Sequence, residues 1–141
     1  MSIIAAVQTY IRTYEDLKAD APIWVNYLGN VPTSYSIVPL PTGGVVEAYV
    51  SGKSLRQFQF AFQSMESTAD DLERLGNNGF FEALSDWFDD QTEAGTLPTL
   101  GAGQTPTEVK ALGWAFLFEQ GDSETGVYMI QCGLDYIQDA P

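Results

Sequence analysis

Histidine is missing altogether from this 141-residue chain, and cysteine occurs only once, at Cys132. Without histidine, the usual general base and the commonest metal ligand are both gone. One thiol and no imidazole exclude a structural zinc site of thiolate and imidazole ligands. They also rule out a Ser-His-Asp or Cys-His arrangement within one chain. A lone cysteine cannot form an internal disulfide, which suits a reducing compartment. Bases are scarce as well: six Lys and Arg stand against nineteen Asp and Glu, a net charge of -13. A chain this acidic is repelled by nucleic acid and by anionic lipid, so neither is an expected partner. No apolar run approaches the roughly 20 residues of a membrane span. Residues 1–10 lack the basic start and apolar block of a signal peptide. No Gly-rich phosphate loop ending in lysine occurs, because Leu100-Gly-Ala-Gly103 follows no strong strand and lacks that lysine.

What is present is a core. Hydrophobic content of 45% with 13% aromatics argues against global disorder, and the length suits a single domain spanning residues 1–141. The most informative stretch is Phe80-Phe-Glu-Ala-Leu-Ser-Asp-Trp87. There Phe80, Phe81, Leu84 and Trp87 recur at helical spacing, Phe88 extends the stripe, and Glu82, Asp86, Asp89 and Asp90 take the opposite face. Such a helix buries an aromatic ridge, most simply against a sheet.

The remaining elements follow from period and punctuation. Ile3, Val7, Tyr10, Tyr14 and Leu17 predict a first helix over residues 3–18, with Ser2 as N-cap and Pro22 beyond its end. A short extended piece covers 23–28. From Ser34 the period is two, and Pro41-Thr-Gly-Gly44 reads as a turn between strands at 34–40 and 45–50, a hairpin. Pro39 and Pro41 place the first of these at a sheet edge. Phe58, Phe60 and Phe62 alternate with Gln57, Gln59, Ala61 and Gln63, a half-buried antiparallel strand. A helix from about Ala69 is broken by Gly76-Asn-Asn-Gly79, and the Phe80 helix ends at Gly95. Residues 94–107 read as a long loop. Residues 109–118 form one strand, and 127–136 another beyond the turn at 121–126. The expected fold class is α+β, an antiparallel sheet of four or five strands with helices packed on one face.

The only clusters with chemical potential are carboxylates. Asp86, Asp89, Asp90 and Glu93 fall on consecutive helical turns, where paired acids could support glycoside hydrolysis or hold calcium or magnesium. Their spacing fits no calcium loop, and helical acids are ordinarily a solvated face, so we assign no catalytic, cofactor-binding or metal-binding residue and expect no enzyme. Cys132 sits on the apolar face of a strand and reads as a core residue. Nine acids (Glu66, Asp70, Asp71, Glu73, Glu82, Asp86, Asp89, Asp90, Glu93) against Arg74 alone make residues 66–93 the most acidic region.

Several stretches together resemble the minor capsid or tail terminator (tail completion) proteins of long-tailed bacteriophages, chiefly those of Gram-positive hosts. They are the N-terminal helix, Ser34-Tyr-Ser-Ile37, Gly52, and Phe58-Gln-Phe60-Ala-Phe62. Asn78-Gly-Phe-Phe-Glu-Ala-Leu-Ser-Asp-Trp87 with Leu97-Pro98-Thr-Leu100 is the most specific, and Gly126-Val-Tyr-Met-Ile-Gln131 through Asp135-Tyr136 closes the set. The resemblance implies a structural virion protein, assembled in the host bacterial cytoplasm as a homo-oligomeric, typically hexameric, ring on the tail tube. Such a ring stops tube growth and joins tail to head, so tail tube and head–tail connector proteins are the implied partners. It implies no catalytic residues. DNA would pass through an acid-lined channel without specific binding. The hairpin at 34–50 and the loop at 94–107 are the expected subunit contacts. A head-side connector is the nearest alternative. A small acidic binding module, such as a DNA-mimic inhibitor, is a second reading, and a carboxylate-dependent hydrolase is a third.

Overall fold

In the computed structural model the chain runs α1 (Ile3–Ile11), β1 (Ile23–Val25), β2 (Ser34–Ala48), β3 (Ser54–Ser67), α2 (Asp71–Ala94), β4 (Gln104–Ala111), β5 (Phe116–Gln120) and β6 (Thr125–Gln138). The structure describes residues 2–15, 17, 21–26, 34–67, 71–120 and 125–141, with backbone alone at 71–75 and 120. The fold class is α+β. Among the described residues the strands form one six-stranded sheet in the order β1-β2-β3-β6-β4, with β5 also paired to β6. Every pairing is antiparallel except β1 with β2, where Ile23–Val25 lies parallel to residues 35–37. The sheet is thus larger than the expected four or five strands. The short parallel β1 and the split of the strand expected at 109–118 add two, and the fusion of 34–40 with 45–50 into β2 removes one.

That split is local. Leu112 still donates its N–H to the Gln131 carbonyl (2.7 Å), then the chain leaves the sheet through Gly113 and an 82% exposed Trp114 and returns as β5. The loop expected at 94–107 is correspondingly shorter, since β4 starts at Gln104.

The period-two pattern of β3 sorts its side chains as expected. Phe60 and Phe62 are buried, level with Cys132 and Ile130 of β6, and with Pro39 and Ile37 of β2. Val109 and Leu134 continue this face, and both helices pack onto it in one cluster with Val7, Ile11, Phe81, Leu84 and Phe88. Phe81 meets Phe62 edge-on (6.2 Å between centroids) and also contacts Tyr128 (6.0 Å). Rings so placed gain about 0.5–1.5 kcal/mol a pair beyond their burial. The aromatic ridge divides its work: Phe81, Leu84 and Phe88 face the sheet, while Trp87 packs on Tyr10 and Tyr14 beyond it. Cys132 is fully buried, and burial pushes its thiol pKa up.

One turn assignment is corrected. Pro41-Thr-Gly-Gly44 is not a hairpin turn; β2 runs through it, with a register shift between Pro39 and Gly43 that leaves two extra residues on β2. Gly43 has φ +100, and a Cβ there would stand 2.6 Å from the Gln57 carbonyl oxygen. The close approach, not chain reversal, is what the glycine supplies. The reversal comes later: Gly52 (φ +91) donates to the Tyr49 carbonyl and Tyr49 to that of Lys53, a turn closed by a glycine bulge.

Helix α2 continues through Gly76-Asn-Asn-Gly79, where a break was expected. Each glycine costs about 1 kcal/mol against alanine in a helix interior, and the aromatic ridge that follows outweighs this. Asn77 also ties the segment down, its amide donating to the Ser67 carbonyl (2.8 Å). The helix ends at Gly95 as expected. Thr96 donates to the Gln91 carbonyl and Gly95 to that of Thr92, the paired bonds of a Schellman cap. Helix α1 starts at its Ser2 cap but stops at Ile11, short of 18. Thr13, Tyr14 and Leu17 then donate to carbonyls three residues back, so the chain tightens while Tyr14 and Leu17 stay buried. Residues 16, 18–20 and 27–33 of the expected elements lie outside the described residues, as does much of the expected turn at 121–126.

Candidate interaction surfaces

The carboxylates singled out in the sequence do not converge on a site. Glu82, Asp86, Asp89, Asp90 and Glu93 are all exposed along one outer face of α2. Among the described residues no group of three or more acids or thiols is placed to hold a metal ion. No described helix is long and apolar enough to cross a membrane.

A cavity of about 670 Å³ opens between α1, α2 and the segment after α2, lined by Thr9, Tyr10, Tyr14, Trp87, Leu97 and Pro98. Its floor is aromatic because the helices meet through Tyr10, Tyr14 and Trp87, with centroids 5.1 and 5.0 Å from the tryptophan. The Tyr10 hydroxyl donates to the Thr96 carbonyl (2.9 Å), and burial raises its pKa to about 12. That hydroxyl is therefore a structural tie between α1 and the end of α2, not an acid or base at neutral pH.

The face of the sheet opposite the helices carries a polar chain across four strands. Thr42 donates to Gln59, Gln59 to Gln57 (2.6 Å), and Gln57 to Asp135 (2.9 Å). Lys110 then bridges Asp135 (3.4 Å) and Glu108 (2.9 Å). The hydrogen bond to Glu108 and the nearby Asp135 charge raise the lysine pKa, against some desolvation. These side chains share rows of the register, so the chain fixes alignment of β2, β3, β6 and β4.

Where the sheet ends is more telling. On one side, β1 covers β2 at residues 35–37, and among the described residues no strand lies beside the rest of β2. Pro39 and Pro41 fall on that uncovered stretch, as expected of an edge. Beyond them Val45 and Val46 are exposed, and Tyr49 and Val50 crown the hairpin. On the other side both β4 and β5 pair with β6, at residues 132–138 and 126–129. The outer edge of β4 is sealed at Val109, whose N–H donates to Thr92 Oγ1 (3.0 Å) while the same hydroxyl donates to its carbonyl (2.9 Å). Helix α2 thus caps that strand. No such cap lies on β5 among the described residues, and Leu112, Trp114, Phe116, Leu117 and Phe118 form an exposed apolar strip along it. Strips of this kind mark interfaces.

Of the expected contact at 34–50, residues 35–37 are covered by β1, and residues 38–48 have no strand beside them among the described residues. Within the expected contact at 94–107, Leu97 and Leu100 pack against the core, Pro98 is buried and Gly103 accepts from Asp139 and Gln138, while Thr96, Thr99, Thr105 and Thr107 stay exposed. The strip at 112–118 was read as an ordinary alternating strand. Its signal was present, since Phe116-Leu117-Phe118 puts large apolar groups on both faces of a single strand. Compared with protein-family models and with curated proteins, the chain matches none.

Proposed function

We propose that this chain is a structural virion subunit, a tail-terminator-like protein that assembles as a homo-oligomeric ring at the head-proximal end of a bacteriophage tail tube and joins tail to head. The observation that carries the reading is the pair of apolar-lined strand edges, unpaired among the described residues, on opposite sides of one sheet. Two different patches on one subunit make a heterologous contact, and heterologous contacts that close generate rings. The sequence resemblance supplies the biological setting, a six-membered ring contacting tube and connector. The acidic outer face of α2 suits a surface past which DNA slides, since like charge prevents sticking. The role requires no catalytic group.

The reading is tested by removing the protein from the phage that encodes it. Full heads separated from tails of excessive length are the expected result; normal virions would contradict it. The exposed acids at 82, 86, 89, 90 and 93, spaced along one helical face, favour a second reading as an acidic binding module. That reading expects a monomer whose binding to a basic enzyme weakens steeply with salt.

A further inference from the structure

We infer that copies of this protein join by adding β5 of one subunit to the outer edge of β2, over residues 43–48, of the next, extending the sheet antiparallel across the boundary. The inference rests on the ring reading only in taking a second copy as the occupant of these edges.

The available stretches match in length. The inner part of β2 is occupied by β1, and Pro39 and Pro41 lack the N–H that a new strand would need. That leaves the proline-free residues 43–48, with a one-residue bulge at Val46, facing the 5 residues of β5, with a matching bulge at Phe118. β4 is closed to a continuous new strand at its Val109, whose outward N–H and carbonyl are already taken by Thr92.

Strand direction fits as well. β2 and β6 run one way, while β3 and β5 run the other. A second copy set beside β5 in the same orientation therefore presents its β2 antiparallel to it, continuing the alternation. A dimer made by β5 meeting β5, or β2 meeting β2, would use one bare edge and leave the other exposed.

Charge favours the same pairing. Residues 34–65 contain Lys53 and Arg56 against Glu47, a net of +1, whereas the rest of the chain sums to -14. The hairpin is the segment that another copy of so acidic a protein repels least. Val45 and Val46, 58% and 60% exposed, would meet Leu117 and Phe118, 43% and 54% exposed, and both strips would leave water.

The register also sets a geometry. Val45 stands level with Tyr136 and Leu117 with Tyr128. Eight positions on β6 amount to about 26 Å along the strands, against about 19 Å across four strands. Copies joined in this way step along the strand direction, so a closed ring holds its strands steeply inclined to the ring axis, as in barrels.

The test uses Val45→Cys and Leu117→Cys as separate variants in the full chain, mixed and oxidised. Both sites are exposed, so the fold should tolerate them, and the buried Cys132, whose thiol pKa is pushed up, does not compete. A disulfide dimer of two 15.5 kDa chains should form in the mixture and in neither variant alone. The doubly substituted chain should give a ladder ending at the ring. Glu47→Cys with Phe116→Cys is the second pair, further along β2 and further back along β5 as antiparallel strands require. A dimer from Val45→Cys alone, or none from either mixture, overturns the contact. Oligomers of ring mass without the cross-link overturn the contact and leave the ring reading standing. The cross-link in filaments or dimers that never close overturns the ring and leaves the contact standing.

Discussion

β4 and β5 lie along the same side of β6, yet one strand is sealed and the other bare. β4 is sealed because α2 crosses beside it and Thr92 satisfies both outward groups of Val109, a residue only 2% exposed. β5 lies level with the middle of α2, where Phe81 packs on Tyr128, the partner of Leu117, yet its apolar side chains are exposed. The two strands come from what the sequence presents as one run, separated by the bend at Gly113 and Trp114. The comparison teaches that closure by α2, more than hydrophobicity, decides which apolar residues become core. Strand edges left bare are a liability that proteins normally blunt. β2 shows such blunting at Pro39 and Pro41 and in the one-residue bulge at Val46, yet Val45 and Val46 stay exposed. Edges left open on both sides of one sheet are therefore most simply read as contacts awaiting a partner.

The comparison can be broken most severely on its covered side. Phe81→Ala removes a fully buried ring between α2 and the sheet and should cost about 3–5 kcal/mol, read from urea denaturation. Thr92→Val keeps the shape but leaves the Val109 N–H and carbonyl unsatisfied, at a cost of about 1–3 kcal/mol. It should also make β4 resemble β5, so new concentration-dependent association is expected in sedimentation. An unchanged stability would show that water, not Thr92, seals this edge.

Alkaline pH probes the tie between α1 and the end of α2. The folded pKa of Tyr10, about 12, lies above its unfolded value near 10. Stabilisation from the neutral phenol is therefore complete below about pH 10 and lost as pH rises towards 12. The raised values of Lys110 and Cys132 act in the same direction. Stability measured at pH 9 and 11.5 should fall, and Tyr10→Phe should flatten part of that fall. The smallest effect on stability belongs to the bare side. Phe118→Ala should change monomer stability by no more than about 0.5 kcal/mol while weakening self-association. A loss comparable to that at Phe81 would mean that β5 belongs to the core after all.

Much of the covered side was legible in the sequence. The Phe80 stripe, the alternation of β3, the Ser2 cap and the Gly95 stop each report a local period or backbone requirement, and each is found in the structure. The errors share a cause. Gly76 and Gly79 look like helix breakers, and Gly43-Gly44 looks like a turn, because propensity describes a residue without its packing. Tertiary contacts keep the helix through the first pair, and a close approach to the Gln57 carbonyl explains Gly43. The bare edges were half legible. The prolines on β2 marked one edge. The exposure of residues 112–118 follows from the bend at Gly113 and Trp114 and from the outermost position of β5 in the sheet, and no local pattern encodes that. The Thr92 cap joins residues 17 apart in sequence and carries no signature of its own.

The central claim is that two different bare edges make this protein close into a ring, and solution mass tests it most directly. Light scattering across a range of concentrations at physiological salt should show a species near six times 15.5 kDa growing in as concentration rises. Salt matters because a charge of -13 on every subunit opposes assembly until it is screened, over about 8 Å at physiological ionic strength. A monomer at every concentration and salt would contradict the account and leave the acidic face of α2 as the surface to explain.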